Sequence, residues 1–159
     1  MRRPVRLQLR SEDETQIAEV FPSIAEVRGA LRGGRRWMKP RGAWVSKWFM
    51  PARAWIMPRP VGVVGIIVPW NYPLFTPMGS ISYALAAGNA VVWKPSELTP
   101  LVAVKVAEIA AHTFALPDLL QVVTGAGTTG AALASAAVDK IAFTGSAATG
   151  RRVMMAAAE

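Results

Sequence analysis

The run Pro60-Val61-Gly62-Val63-Val64-Gly65-Ile66-Ile67-Val68-Pro69-Trp70-Asn71-Tyr72-Pro73-Leu74 decides the fold. Val61 to Val68 is rich in β-branched residues and poor in polar ones, the pattern of a strand covered on both faces, as in parallel sheets. Pro69 and Pro73 end it, and a helix is predicted from about Leu74 to Ala87. No charged residue occurs from Val61 through Trp93. A membrane span is disfavoured there because Pro69, Pro73, Pro77, Asn71 and Asn89 would leave backbone groups unpaired in lipid. A buried strand, helix and strand in succession accounts for the stretch better.

The alternation continues towards the C-terminus. Gly88-Asn89 closes the helix, and Ala90 to Trp93 forms the next strand. Thr99 as N-cap and Pro100 as first helical residue open a helix to about Phe114. Leu119 to Val123 is a third strand, Thr128 to Ala136 an Ala-rich helix and Lys140 to Phe143 a fourth strand. A last helix runs from near Ser146 to Glu159. Strand alternating with helix at this spacing predicts an α/β fold, an incomplete doubly wound parallel sheet of Rossmann-like type.

Working outward the other way, residues 1–58 form a separate helical and basic Trp-rich segment, and residues 59–159 a partial dinucleotide-binding domain. Ser11 with Glu14, and Ser23 with Glu26, have capping-box spacing, which predicts two short helices split near Pro22. The second is expected to stop around Gly33-Gly34. Beyond it, Trp37, Trp44, Trp48 and Trp55 alternate with Arg36, Lys39, Arg41, Lys47 and Arg53 in a stretch without a regular period.

The 159 residues carry a formal charge of +8 and include no cysteine. Residues 1–59 hold 13 Lys or Arg against 5 Asp or Glu, while residues 60–159 hold five of each. The motif-bearing part therefore has no general attraction for polyanions. Met1-Arg2-Arg3-Pro4, Arg6 and Arg10 are followed by Glu12-Asp13-Glu14 without an apolar core, so a secretory signal is not expected and a cytoplasmic location is. Without cysteine there is no thiolate chemistry or disulfide, and a lone His112 builds no metal centre.

Three runs carry candidate chemistry, each at a strand-to-helix junction, where open α/β sheets bind ligands. Gly145, Ser146 and Gly150 could let backbone amides approach a pyrophosphate; the bland alternative is a tight turn. Lys94 and Glu97 could bind a ribose or phosphate, or simply form a solvated ion pair. Asn71, flanked by Pro69 and Pro73, could offer a fixed amide to a developing oxyanion, or close an Asx-turn on its own backbone.

In this order the runs resemble the aldehyde dehydrogenase superfamily. The resemblance rests on Pro60 to Leu74, on Ala84-Leu85-Ala86-Ala87-Gly88-Asn89-Ala90-Val91-Val92-Trp93-Lys94-Pro95-Ser96-Glu97, on Val122-Val123-Thr124-Gly125 and on Phe143-Thr144-Gly145-Ser146. Glu19-Val20-Phe21-Pro22 and Arg36-Trp37-Met38-Lys39-Pro40 look most like the coniferyl aldehyde dehydrogenase branch. The resemblance implies that Asn71 stabilises the oxyanion of a thiohemiacetal. It places Val68, Pro69 and Trp70 beside the nicotinamide, Lys94 and Glu97 at the adenosine ribose, Gly145, Ser146 and Gly150 at the pyrophosphate, and Gly127 near the cofactor. The cofactor expected is NAD, since a carboxylate at Glu97 repels a 2′-phosphate; NADP is the alternative.

The family works by thiolate attack, hydride transfer to nicotinamide and hydrolysis of a thioester by water that a glutamate activates. The resemblance covers about the first third of a family subunit. It implies that the general-base Glu, in a Glu-Leu-Gly-Gly-Lys run, and the nucleophilic Cys both belong after Glu159. The expectation is a truncated, cofactor-binding part of a homo-oligomeric enzyme, inactive alone, with no nucleic-acid or membrane partner. Two other readings stand beside it: residues 28–59 as a basic, Trp-rich surface for nucleic acid or anionic membrane, and the chain as a regulatory partner of complete subunits.

Overall fold

The computed structural model describes residues 11–158, so Met1-Arg2-Arg3-Pro4, Arg6, Arg10 and Glu159 lie outside the description. Its centre is a four-stranded parallel sheet of β3 (Val63–Ile67), β4 (Ala90–Lys94), β5 (Leu120–Val122) and β6 (Lys140–Phe143), in the order β5-β4-β3-β6. Between them run α3 (Phe75–Ala86), α4 (Pro100–Thr113) and α5 (Gly127–Ala134), and α6 (Ala147–Ala156) follows β6. Ile67 is in register with both Lys94 and Phe143, so three strands end along one margin. The chain steps from β3 to β5 in one direction and returns to β6 on the far side of β3. That reversal is the switch point of a doubly wound sheet, where a crevice opens beyond the strand ends.

Side-chain alternation along β3 separates the two faces. Val64, Ile66 and Val68 join Val91, Trp93 and Leu120 in a core that Ile81 of α3 and Ala103 and Ala110 of α4 complete. On the opposite face Gly65 lies beneath Leu133 of α5. Near-continuous apolar composition in β3 and β4 is what burial on both faces requires.

The strand predicted from Val61 begins two residues later. Asn89 accepts the N–H groups of Val61 (2.7 Å) and Gly62 (3.1 Å), and its amide donates to the Ala84 carbonyl (2.9 Å). Gly62 adopts φ +128°, and a Cβ there would strike the Asp139 carboxylate. Asp139 in turn accepts the Val63 N–H at 2.7 Å. Gly88, at φ +86°, ends α3 as expected. Thr99 stands at the N-cap of α4, but its buried hydroxyl makes no capping bond.

The N-terminal helices depart most from expectation. Ser11 does cap α1 (Glu12–Thr15), accepting the Glu14 N–H at 3.1 Å. The helical path is not split at Pro22: a π-helical turn, Gln16–Val20, leads directly into α2 (Phe21–Trp37). Proline lacks an N–H and crowds the preceding turn, and a wider turn ahead of it accommodates both. Ser23 is therefore inside a helix, with its buried hydroxyl unpartnered rather than capping. Gly33 and Gly34 do not stop α2. Both are buried, Gly34 at the crossing with Ala86 of α3 and Gly33 beneath the Trp37 ring, so they serve close packing.

The stretch without a sequence period is a hairpin. β1 (Arg41–Ala43) pairs antiparallel with β2 (Ala54–Ile56), and a 3₁₀ turn, Lys47–Phe49, lies between. Trp44 and Trp48 are 87% and 83% exposed, whereas Trp37 leans on Tyr83 with ring centroids 5.6 Å apart.

Candidate functional site

A cleft of about 440 Å³ opens where the ends of β3 and β6 diverge. Ile67, Val68 and Pro69 form one side of its base, and Phe143 and Thr144 the other. The α5 wall consists of Gly127, Gly130, Ala131 and Ala134; the α6 wall of Ser146, Thr149, Arg152, Val153 and Ala156. These α6 positions recur at three and four residues, one face of a helix. The mouth carries Lys94, Ser96 and Glu97.

Lys94 ends β4, and its side chain is 5% exposed. Because Val91 and Trp93 face the core, Lys94 turns to the α5 face, where its stem passes Gly130; a Cβ there would lie 3.4 Å from Lys94 Cδ. Its ammonium donates to the Pro95 carbonyl at 2.8 Å and stands 3.9 Å from Glu97 Oε2. The Glu97 carboxylate is half exposed and keeps room for acceptor bonds to a ligand. Ser146 caps α6: its hydroxyl accepts the Thr149 N–H at 3.2 Å and donates to Thr149 Oγ1 at 3.0 Å. The first N–H groups of α5 and α6 have no acceptor within their helices and border the cleft.

Seven of the residues singled out in the sequence come together here: Val68, Pro69, Lys94, Glu97, Gly127, Gly145 and Ser146. Trp70, Asn71 and Gly150 do not line the cleft. Trp70 and Asn71 lie on the exposed connection between β3 and α3. Gly150 lies in α6, where a Cβ would come 3.3 Å from the Phe143 ring, and one on Gly145 would meet that ring at 2.5 Å. The two glycines thus make room for Phe143, which alone accounts for their spacing.

Three contributors escaped the sequence reading. Glu19, only 4% exposed, accepts the N–H groups of Leu74 (2.8 Å) and Phe75 (3.0 Å), capping α3 and fixing the end of the segment that carries Asn71. Nothing in local spacing links positions 55 residues apart. Thr149 and Arg152 were legible in principle, three and six residues beyond the cap at Ser146 on the same helix face.

The donor set fits a dinucleotide. Backbone amides and a cap lie near the strand ends, an ammonium and a carboxylate stand together at the mouth, and small residues line a narrow slot between α5 and α6. A Cβ at Gly127 would meet no atom within 4 Å, so the backbone there is open to the cleft. A parallel sheet with its crevice at the switch point defines the class of open, doubly wound α/β proteins.

Within that class, the chain belongs to the aldehyde dehydrogenase family, whose profile matches residues 10–159. It is 43% identical over 150 residues to a protein of Pseudomonas aeruginosa described as a probable coniferyl aldehyde dehydrogenase, spanning 94% of this chain and 31% of that one. The NAD⁺ complex of an aldehyde dehydrogenase from Bacillus cereus superposes with a TM-score of 0.81 at 31% identity, covering 92% of this chain and 29% of that one. PnpE in complex with nicotinamide adenine dinucleotide gives 0.77 at 38% identity, over 86% of this chain and 28% of PnpE. The chain thus spans about a third of the length of its relatives.

Proposed function

We propose that this chain supplies the cofactor-binding part of an NAD-dependent aldehyde dehydrogenase that converts an aldehyde, of the aromatic coniferyl type, to its carboxylic acid. One observation carries the reading: Lys94, Glu97, Gly127, Gly145 and Ser146 share a cleft at the switch point of the sheet. In this reading Lys94 and Glu97 hold the adenosine ribose, Gly145 and Ser146 meet the pyrophosphate with Gly127 opposite, and Val68, Pro69 and Trp70 lie towards the nicotinamide. When bound, the cofactor supplies a hydride acceptor. Asn71 offers its amide to the oxyanion formed from the aldehyde, and Gly150 acts through the seating of Phe143. Glu97 favours a free 2′-hydroxyl, which supports NAD as the preferred form. The nucleophile is contributed by other sequence, because this chain has no cysteine.

Calorimetric titration of the 159-residue chain with NAD⁺ tests the cofactor role. Binding is expected to weaken about tenfold in Glu97→Ala, the size of one charge-assisted contact. A folded chain that binds no NAD⁺ overturns the reading. Joining the chain to the remaining portion of a coniferyl-type relative is expected to give NAD-dependent aldehyde oxidation, which Asn71→Ala lowers by about 10² to 10³.

A second reading has its own support. Trp44, Trp48 and Trp55 are exposed on a hairpin with Arg41, Lys47 and Arg53, and Lys47 lies 5.5 Å from the centre of the Trp48 ring. Binding of single-stranded nucleic acid or anionic vesicles that fades with salt would favour it. No binding at low salt ends it.

A further inference from the structure

Resting on the cofactor reading, we infer that Arg152 is a phosphate-binding residue of the cleft, which admits a 2′-phosphorylated nicotinamide dinucleotide beside the unphosphorylated one. Arg152 projects from the cleft-facing side of α6 with Thr149, Val153 and Ala156. It has no hydrogen bond or ion pair among the described residues. The other charged groups of the cleft are Lys94 and Glu97, which stand 3.9 Å apart and largely offset each other. The Arg152 charge is left over.

Its position selects the part of the ligand it serves. Arg152 is six residues beyond the cap at Ser146, about 9 Å along the helix axis, and so set back from the end that meets the pyrophosphate. It flanks the slot between α5 and α6, where Ala131, Ala134, Val153 and Ala156 present small apolar surfaces suited to a planar base. The neighbouring part of the ligand is therefore the adenosine, and the anion that distinguishes its phosphorylated form is the 2′-phosphate. A guanidinium presents a planar fork of donors that matches phosphate oxygens. Glu97 repels such a group, but Lys94 screens that carboxylate from close range, so Arg152 tips the balance towards acceptance.

Titration of the 159-residue chain with 5′-AMP and 2′,5′-ADP isolates the contribution, since the two differ only by the 2′-phosphate. The wild-type chain is expected to bind both ligands. Arg152→Leu should weaken 2′,5′-ADP about tenfold while leaving 5′-AMP within about twofold, and Arg152→Lys should recover part of the loss. Equal weakening of both ligands, as stacking on the base or contact with the shared 5′-phosphate would give, overturns the inference and leaves the cofactor reading standing. Binding of 5′-AMP but not 2′,5′-ADP by the wild-type chain does the same. A chain that is folded by circular dichroism yet binds neither ligand overturns both.

Discussion

The hairpin and the cleft are opposites in composition and in what their side chains touch. Around the hairpin, large aromatic and basic residues stand in solvent, with Trp44 and Trp48 the most exposed of the aromatic ones. Around the cleft, small residues predominate and Lys94 is enclosed so completely that its ammonium bonds to its own chain. Charge density therefore points to one region and geometry to the other. A diffuse field attracts partners of one sign, whereas a crevice with convergent polar groups selects a ligand.

The sharpest way to break this contrast is to remove one tryptophan from the hairpin and one from the core of the sheet that carries the cleft. Trp93 is fully buried in β4, so Trp93→Ala is expected to cost about 3 to 5 kcal/mol in urea denaturation. Trp44→Ala should stay within about 0.5 kcal/mol. A large loss at Trp44 would mean that the hairpin is packed against something in solution. Next, Gly62→Ala forces a side chain into a positive φ and against Asp139, and should cost about 1 to 3 kcal/mol. Gly42→Ala, in open space on the hairpin, should change stability far less.

A smaller effect is expected at the cleft. Ser146→Ala removes the cap of α6 and should lower stability by about 1 kcal/mol. The smallest concerns Tyr83, beside the hairpin-side residue Trp37. A hydrogen bond to Glu26, helped by desolvation and by that carboxylate's charge, raises its phenol pKa above 10.0. A group raised on folding stabilises while protonated, so its contribution is complete below about pH 10 and fades as pH climbs through the folded value. Absorbance titration at alkaline pH should show the phenol ionising late, and Glu26→Gln should bring it back towards its ordinary range.

The sheet was legible because its signals are local. The β-branched run of β3, the Gly88-Asn89 stop and the Ser146 cap each act within a few residues. The cofactor candidates were legible for the same reason, since strand ends in a parallel sheet share one margin whatever the detailed packing. Asn71 and Trp70 show the limit of that logic, because being next to a strand end in sequence does not put a side chain in the crevice. What stayed hidden depends on distant partners. Gly33-Gly34 reads as a helix stop until Ala86 is seen against it, and Pro22 reads as a break until a π-helical turn absorbs it. Asp139 and Glu19 look like ordinary surface acids, yet each holds backbone N–H groups far along the chain.

The grip of Glu19 on Leu74 and Phe75 turns the N-terminal helix into a splint for the sheet's working margin. The boundary at residue 59 that composition suggests would cut through this brace. A shortened chain starting there would keep every strand of the parallel sheet and the whole cleft, yet release the connection bearing Asn71 at its far end. Mobility at that spot would then be governed by residues that never approach a ligand.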